Sequence, residues 1–302
     1  MERTQSYAPG PLSRSWAAVK PYVEVTKLRL VFLLAFTCVG TMVVATAEQP
    51  VPPGLVVKAL LAILAGTAGA NTITCYIDRD IDALMDRTRH RPIPSGRIHP
   101  PERALYWGLF LSVLSLALAW SVNVLSFLAI LLGLLDNIVV YSLLAKRRSP
   151  LNIIWGSFSG GLPALFGWTV VTNRVDWLPV LVGTIVVLWT PTHIWNLAIY
   201  YSTDYRKAQV PMLPAVYRLQ ATLHCIAATV ILMAICSLIL YAVGGFGPIY
   251  FWTALTCGVF LVAANLYLVW KPSRKAAWRL FKLSSPYLFV LILSMMIDVW
   301  VR

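Results

Sequence analysis

The stretch from Asn71 to His99 reads NTITCYIDRDIDALMDRTRHRPIPSGRIH, and it shows which class of fold to expect. It holds four of the chain's twelve acidic residues and five arginines, whereas 59% of the chain is hydrophobic and only 12% is charged. The charges follow an apolar run long enough to cross a bilayer, where ionisable groups are costly and usually functional. The stretch therefore predicts a membrane protein with a polar site at the end of one span.

Composition places the whole chain in the class of all-α polytopic membrane proteins. It has 302 residues and a mean hydropathy of +0.72. Nine apolar runs each approach the ~20 residues that a helix needs to cross the hydrocarbon layer. They are residues 30–47, 55–77, 104–121, 123–145, 151–172, 177–200, 220–242, 247–270 and 283–301. Residues 21–302 are predicted to form one transmembrane domain, preceded by a polar cytoplasmic tail (1–20) that lacks the apolar core of a signal peptide.

Basic residues set the expected orientation. With a cytoplasmic N-terminus, 22 of the 25 Lys and Arg residues fall in cytoplasmic segments, and only Lys58, Arg174 and Arg302 face the other side. The positive-inside rule then predicts an N-in, C-out protein of the inner (cytoplasmic) membrane. The net charge of +13 is explained by this topology and by contact with anionic lipids, so no nucleic-acid partner is expected.

The acidic residues of the opening stretch have a spacing that points to a cation. Asp78 and Asp82 are four residues apart, so on a helix they lie on one face, with Thr74 and Asn71 near the same stripe. Two carboxylates about 6 Å apart repel each other unless a cation lies between them. A magnesium ion held by one or two carboxylates and by substrate phosphates meets that need. The alternative is an ordinary solvated helix end with mixed charges.

A second loop, YYSTDYRKAQVPMLPAVYR (200–218), carries Tyr200, Asp204 and Lys207. Under the predicted topology it opens on the same face as the first loop, because each loop follows an even-numbered span. Two acidic sites facing each other across a cleft would hold a diphosphate between metal ions. The alternative is two unrelated basic loops that the positive-inside rule has made alike.

The segment DRDIDALMDRTRHRPIPSGRI (78–98) resembles the first aspartate-rich motif of the UbiA superfamily of intramembrane prenyltransferases. Its RT-x-x-RP form is most similar to the protoheme IX farnesyltransferase (heme O synthase) branch. WTPTHIWNLAIYYSTDYRKAQVPMLPAV (189–216), NIIWGSFSGGLPALFGW (152–168), LFKLSSPYL (280–288) and the TK-x-R entry to the first span resemble the same branch. The likeness covers nearly the whole chain and implies a nine-helix bundle of the UbiA type.

The resemblance also implies a reaction, the transfer of a farnesyl group from farnesyl diphosphate to heme B. It implies that Asp78, Asp82 and Asp204 hold Mg²⁺ and act in catalysis. The implied diphosphate contacts are Asn71, Thr74, Lys27, Arg89, Arg91, Lys207 and Tyr200. His193, within the WTP-x-H-x-W motif, and Trp195 are implied at the porphyrin site, with neutral imidazole suited to binding iron.

Several departures from the branch pattern bear on the acceptor. Thr74 stands where the superfamily usually has Asn, and Asn71 is a substitute one turn earlier. Asp136 and Asn137 stand in the fourth span where the branch tends to have aromatic residues. Asp136 lies ten residues before Lys146, or ~15 Å along a helix axis. An acidic residue at that depth is a functional-site hypothesis, and we assign both residues to the acceptor site.

Three alternatives remain at this point. One keeps the donor site but uses a quinone or another aromatic acceptor, or cyclises the isoprenoid with no acceptor at all. Another is a transporter or channel with Asp136 and His193 along an ion path, which leaves the clustered aspartates unexplained. The last is a heme-binding assembly factor without catalytic activity.

Overall fold

A ring of membrane-length helices forms the molecule. The computed structural model describes residues 11–47 and 49–301, and of residues 11–15 the backbone alone. The helices are α1 (Pro11–Val25), α2 (Leu28–Ala45), α3 (Pro53–Ile77), α4 (Arg79–Leu84), α5 (Glu102–Trp120), α6 (Val124–Leu135), a π-helical segment (Asp136–Ala145), α7 (Asn152–Gly156), α8 (Phe158–Thr172), α9 (Trp177–Tyr200), α10 (Ser202–Lys207), α11 (Leu213–Val216), α12 (Leu219–Gly244), α13 (Pro248–Trp270) and α14 (Arg274–Val301). Each long helix packs against the next along the chain, and α14 packs against α2 to close the ring.

The predicted spans agree with the observed helices except in the fifth. In the described part of the chain, eight helices are long and apolar enough to cross a membrane. The run predicted at 151–172 is divided at Ser157 into α7 and α8, and α8 alone has 15 residues. The closely spaced runs at 104–145 are separate helices: the first, α5, ends at Trp120. Asn123 caps the second, α6, its Oδ1 accepting a hydrogen bond from Ser126 N at 2.7 Å.

The count of nine spans and the cytoplasmic N-terminus stay predictions. Residues 11–20 of the predicted tail form most of α1. Residues 1–10, including Arg3, and Arg302 at the other end lie outside the described residues.

Small residues bring α3, which carries the aspartates, close to α5. A Cβ on Gly69 would lie 2.5 Å from Ser112 Oγ and 2.9 Å from Gly108 O. The Ser115 hydroxyl donates a hydrogen bond to Ala62 O at 2.6 Å. Close backbone approach through small residues, together with interhelical hydrogen bonds, is a usual way to fix helix pairs in membranes. It holds the C-terminal end of α3 in a defined place.

Candidate active site

A cavity of about 310 Å³ opens at the end of the bundle where α3 and α9 finish. Its deeper walls are apolar and come from α3, α6, α8 and α9. Its outer part is lined by eight polar or charged residues. These are Lys27, Asn71, Thr74, Asp78, Asp82, Arg87, Arg91 and Lys146. The cavity thus joins an apolar interior to a charged mouth.

Asp78 and Asp82 face this cavity together, as their spacing predicts. α3 ends at Ile77, yet the helical hydrogen bonds continue through the break. Asp78 N donates to Thr74 O at 3.0 Å and Asp82 N donates to Asp78 O at 2.8 Å. Both aspartates are 3% exposed, so their charges require partners within the protein.

Each aspartate has its own cationic partner. Arg91 Nη1 donates to Asp82 Oδ2 at 2.7 Å, and the Lys146 ammonium pairs with Asp78 Oδ2. The repulsion expected between the two carboxylates is therefore balanced by side chains of the chain itself. Asp78 Oδ1 is buried without a hydrogen-bond partner in the described structure, so one acceptor remains available.

Lys146 is a site residue that the sequence reasoning missed. It directly follows the π-helical segment, and its backbone N–H donates to Tyr141 O, five residues earlier, at 2.8 Å. Asn137, Tyr141 and Lys146 all line the cavity because spacings of four and five residues share one face of this wider helix. Burial disfavours the charged form of Lys146, but Tyr141 and Asp78 outweigh it and raise the pKa of Lys146. The only signal in the sequence was the spacing of Asn137, Tyr141 and Lys146, and this segment looks like part of an ordinary apolar span. Single π-helical turns are frequent at functional sites.

The second acidic loop meets the first through Arg87. Arg87 N donates to Asp204 Oδ2 at 3.1 Å, and Arg87 Nη2 donates to Tyr205 Oη at 3.4 Å. Arg87 and Tyr205 line the cavity, whereas Asp204 is buried behind them. Lys207 also reaches Asp86 of the first loop at 3.0 Å. The prediction that both loops lie at one end of the bundle is confirmed, although Arg87 had no assigned role.

The predicted three-carboxylate metal set is not formed as one cluster. Within the described residues, no group of three His, Cys, Asp or Glu side chains is arranged to hold a metal ion, because Asp204 is turned to the backbone of Arg87. Mg²⁺ is usually bound by one or two carboxylates together with substrate phosphates, not by a cage of protein ligands alone. Asp78, with its unpartnered Oδ1, and Asp82 have the oxygen chemistry that suits such an ion.

Of the seven predicted diphosphate residues, four line the cavity: Lys27, Asn71, Thr74 and Arg91. Burial, with Arg91 and Lys146 nearby, lowers the pKa of Lys27, while Cys75 opposes the shift. Cations gathered at one mouth favour an anionic ligand.

The other three predicted diphosphate residues lie outside the cavity. Arg89 and Lys207 both pair with the exposed Asp86. Tyr200 stacks on Trp278 with ring centroids 4.8 Å apart. Neither of their partners, the exposed Asp86 and the half-buried Trp278, lines the cavity.

Of the four predicted acceptor residues, two line the cavity and two do not. His193 and Asn137 line the cavity. Trp195 is buried at 2% exposure and is not part of the lining. Asp136 is also outside it, and its Oδ2 accepts the Ser159 N–H at 2.8 Å. Since Ser159 lies in the first turn of α8, Asp136 satisfies a free helix N–H in the manner of an N-terminal cap.

Comparison with known proteins assigns the family. The model of the UbiA prenyltransferase family matches residues 33–291. This chain belongs to the UbiA prenyltransferase family. It is 54% identical over 283 residues to a protein named protoheme IX farnesyltransferase from Desulforudis audaxviator, covering 94% of this chain and 89% of that protein. A protein of the same name from Symbiobacterium thermophilum is 40% identical over 288 residues, covering 95% and 96% of the two chains.

Solved UbiA-family structures share the fold. A structure described as digeranylgeranylglyceryl phosphate synthase matches with a TM-score of 0.78 at 18% identity, covering 94% of this chain and 99% of that one. A UbiA homolog from Archaeoglobus fulgidus bound to DMAPP and Mg²⁺ matches with a TM-score of 0.61 at 18% identity, covering 90% and 98% of the two chains. The chain is thus a multi-pass membrane prenyltransferase, as the aspartate-rich stretch indicated.

Proposed function

We propose that this UbiA-family enzyme transfers the farnesyl group of farnesyl diphosphate to a vinyl group of heme B, with Mg²⁺, to give heme O. The support is the 54% identity to a protein named protoheme IX farnesyltransferase over most of both chains. The observation that carries the chemistry is the cavity that joins Asp78, Asp82 and a set of cations to an apolar interior.

The donor's diphosphate belongs at the charged mouth of the cavity. Arg87 and Arg91 supply fixed positive charge there, Lys27 adds a further hydrogen-bond donor, and Arg91 presents a planar fork suited to phosphate oxygens. Asp78 and Asp82 would hold Mg²⁺, and Asp204, which accepts the Arg87 N–H, would hold the Arg87 segment of the mouth in place. Bound Mg²⁺ stabilises negative charge on the leaving diphosphate. Preorganised charge of this kind lowers the barrier to breaking the allylic C–O bond.

The farnesyl chain belongs in the apolar part of the cavity. Ile130, Leu134 and Val186 are among the side chains that line it. An apolar wall excludes water from the allyl cation left by diphosphate. The vinyl carbon attacks that cation, one water molecule then adds its hydroxyl to the neighbouring carbon, and a proton is released.

The acceptor belongs beside His193 and Asn137, where α9 and the π-helical segment face the cavity. Heme suits this wall because Trp189 and His193 both line the cavity, and the His193 ring is held between Trp189 and Phe281 with centroids 4.5 Å and 4.3 Å away. We place the enzyme in the inner membrane, with the charged mouth on the cytoplasmic side where basic loops gather.

The purified full-length enzyme in lipid nanodiscs tests this function. We expect farnesyl diphosphate and heme B together to give a heme heavier by one farnesyl group and one water, with release of diphosphate. Parallel reactions with geranylgeranyl diphosphate, and with a quinone precursor in place of heme, test donor length and acceptor. Prenylation of the quinone precursor with unchanged heme would refute the proposed acceptor.

A further inference from the structure

Ser284 on α14 is the meeting point of three hydrogen bonds beside the proposed acceptor site. Its Oγ lies 2.7 Å from His193 Nδ1, and its hydroxyl donates to Phe281 O at 2.8 Å. Its backbone oxygen accepts from Trp189 Nε1 at 2.8 Å. Ser284 itself is fully buried. Two cavity-lining side chains of α9, Trp189 and His193, are therefore fixed by one residue of the neighbouring helix.

These hydrogen bonds favour one tautomer of the neutral His193 ring. A serine hydroxyl has a single proton to donate, and in Ser284 it is directed at Phe281 O. With its proton directed at Phe281 O, Ser284 Oγ is an acceptor for Nδ1–H of His193, 2.7 Å away. In a neutral imidazole with a protonated Nδ1, the lone pair is on Nε2.

The surroundings of the His193 ring restrict how a ligand can approach it. Trp189 stacks on the ring at an interplanar angle of 20°, and Phe281 packs on it at 34°. With the faces packed and Nδ1 engaged, the edge that holds Nε2 is the one left for the cavity.

We propose that Ser284 is a positioning residue that holds His193 as the Nδ1–H tautomer and presents its Nε2 lone pair to the iron of the porphyrin acceptor. This inference rests on the proposed function, because it takes an iron porphyrin as the acceptor. Histidines that bind metals usually donate their other N–H to a protein oxygen, which fixes the ring and makes it a stronger ligand. Ser284 supplies that oxygen.

Heme binding to the full-length protein in nanodiscs tests the proposal without turnover. Ferric heme B is titrated by its Soret absorption, and the Fe–His stretching frequency of the ferrous complex is measured by resonance Raman. We expect His193→Ala to remove the Fe–His band. We expect Ser284→Ala to weaken heme binding about 10- to 100-fold, as usual for loss of such a partner, and to lower the Fe–His frequency. Ser284→Thr keeps a hydroxyl and should restore both.

Ser294→Ala is the matched control. Ser294 is also buried on α14 and donates to the carbonyl three residues earlier, Leu291 O, at 2.8 Å, yet it does not contact His193. The control should keep the parental affinity and frequency. Parental values in Ser284→Ala, or equal losses in both variants, would overturn the proposal. If Ser284→Ala is not recovered folded, Ser284→Cys serves instead because a thiol is a weaker acceptor; a parental frequency there would also overturn it.

The product assay separates this inference from the proposed function. If the parental enzyme shows the His193-dependent band, loses it in part in Ser284→Ala, and forms no farnesylated heme, the proposed function is refuted and the role of Ser284 in heme binding is supported. A parental enzyme that farnesylates heme yet shows the same spectrum after His193→Ala overturns the inference alone.

Discussion

Lys146 and Asp78 form a buried ion pair although 68 residues separate them in the chain. The Lys146 side chain is 14% exposed and that of Asp78 is 5% exposed. The pair joins the end of the π-helical segment to the end of α3, the two elements on either side of the cavity mouth. It places a cation within the site where we assign the donor's diphosphate.

Replacing Lys146 by Met should destabilise the protein strongly. Removing one partner of a buried ion pair leaves an uncompensated charge and costs about 3–5 kcal/mol. We expect a lower free energy of unfolding in detergent and loss of prenyl transfer. The double variant Asp78→Asn/Lys146→Met should recover much of the stability, because no charge is left unpaired, but not the activity.

Arg147→Met is the control for that prediction. Arg147 follows Lys146 and pairs with Asp80 at 2.6 Å, with side chains 38% and 60% exposed. An exposed pair contributes about 1 kcal/mol or less. Equal destabilisation by the two single variants would contradict the special role of the buried pair.

Replacing Arg91 should lower the enzyme's activity much more than replacing Arg89, although both residues lie in one loop. Arg91 lines the cavity and pairs with Asp82, whereas the Arg89 side chain is 57% exposed and pairs with Asp86. We expect Arg91→Ala to lower kcat/KM for the isoprenoid diphosphate by roughly 10²-fold, the usual effect of removing one preorganised electrostatic contact. Arg89→Ala should change it by only a few-fold. A larger loss of kcat/KM in Arg89→Ala than in Arg91→Ala would mean that the diphosphate does not bind on the Arg91 side of the cavity.

The sequence was enough to predict the helical bundle and the shared face of Asp78 and Asp82. Both depend on local rules, since span length follows from apolar runs and spacing of four residues from the helical period. The division of the predicted span 151–172 was missed because its break at Ser157 leaves hydropathy unchanged. There the backbone must approach Tyr141, and a Cβ on Gly156 would lie 2.5 Å from that ring.

The cationic half of the site was harder to predict. Lys146 looks like one of three basic residues that end a span, and no local rule distinguishes the one that turns inward. Arg87 binds Asp204 through its backbone N–H, a donor that every residue type except proline possesses, so the residue type carries almost no signal for that contact. Such contacts depend on how distant helices pack.

Asp136 should contribute to stability more than to acceptor binding. Its carboxylate accepts the Ser159 N–H at the start of α8 and does not line the cavity. We expect Asp136→Ala to cost about 0.5–2 kcal/mol, as for loss of a helix cap, and Asp136→Asn to cost less because its oxygen can still accept. Both should bind heme like the parent, as measured by Soret titration. Asn137→Ala, one residue on and within the lining, is the comparison that should alter heme affinity.

Asp82→Asn should separate metal-dependent chemistry from acceptor binding. The amide keeps the shape of the side chain but removes the charge that would hold Mg²⁺ and that pairs with Arg91 at 2.7 Å. We expect Mg²⁺-dependent diphosphate release to fall by about 10²-fold or more, and chelation of the parental enzyme with EDTA to abolish it. Heme binding should persist in both cases, because His193 is held by Ser284 and not by the aspartates. Asp80→Asn is the matched control, since Asp80 is exposed and pairs with Arg147; parental release by Asp82→Asn would mean that the metal is held elsewhere.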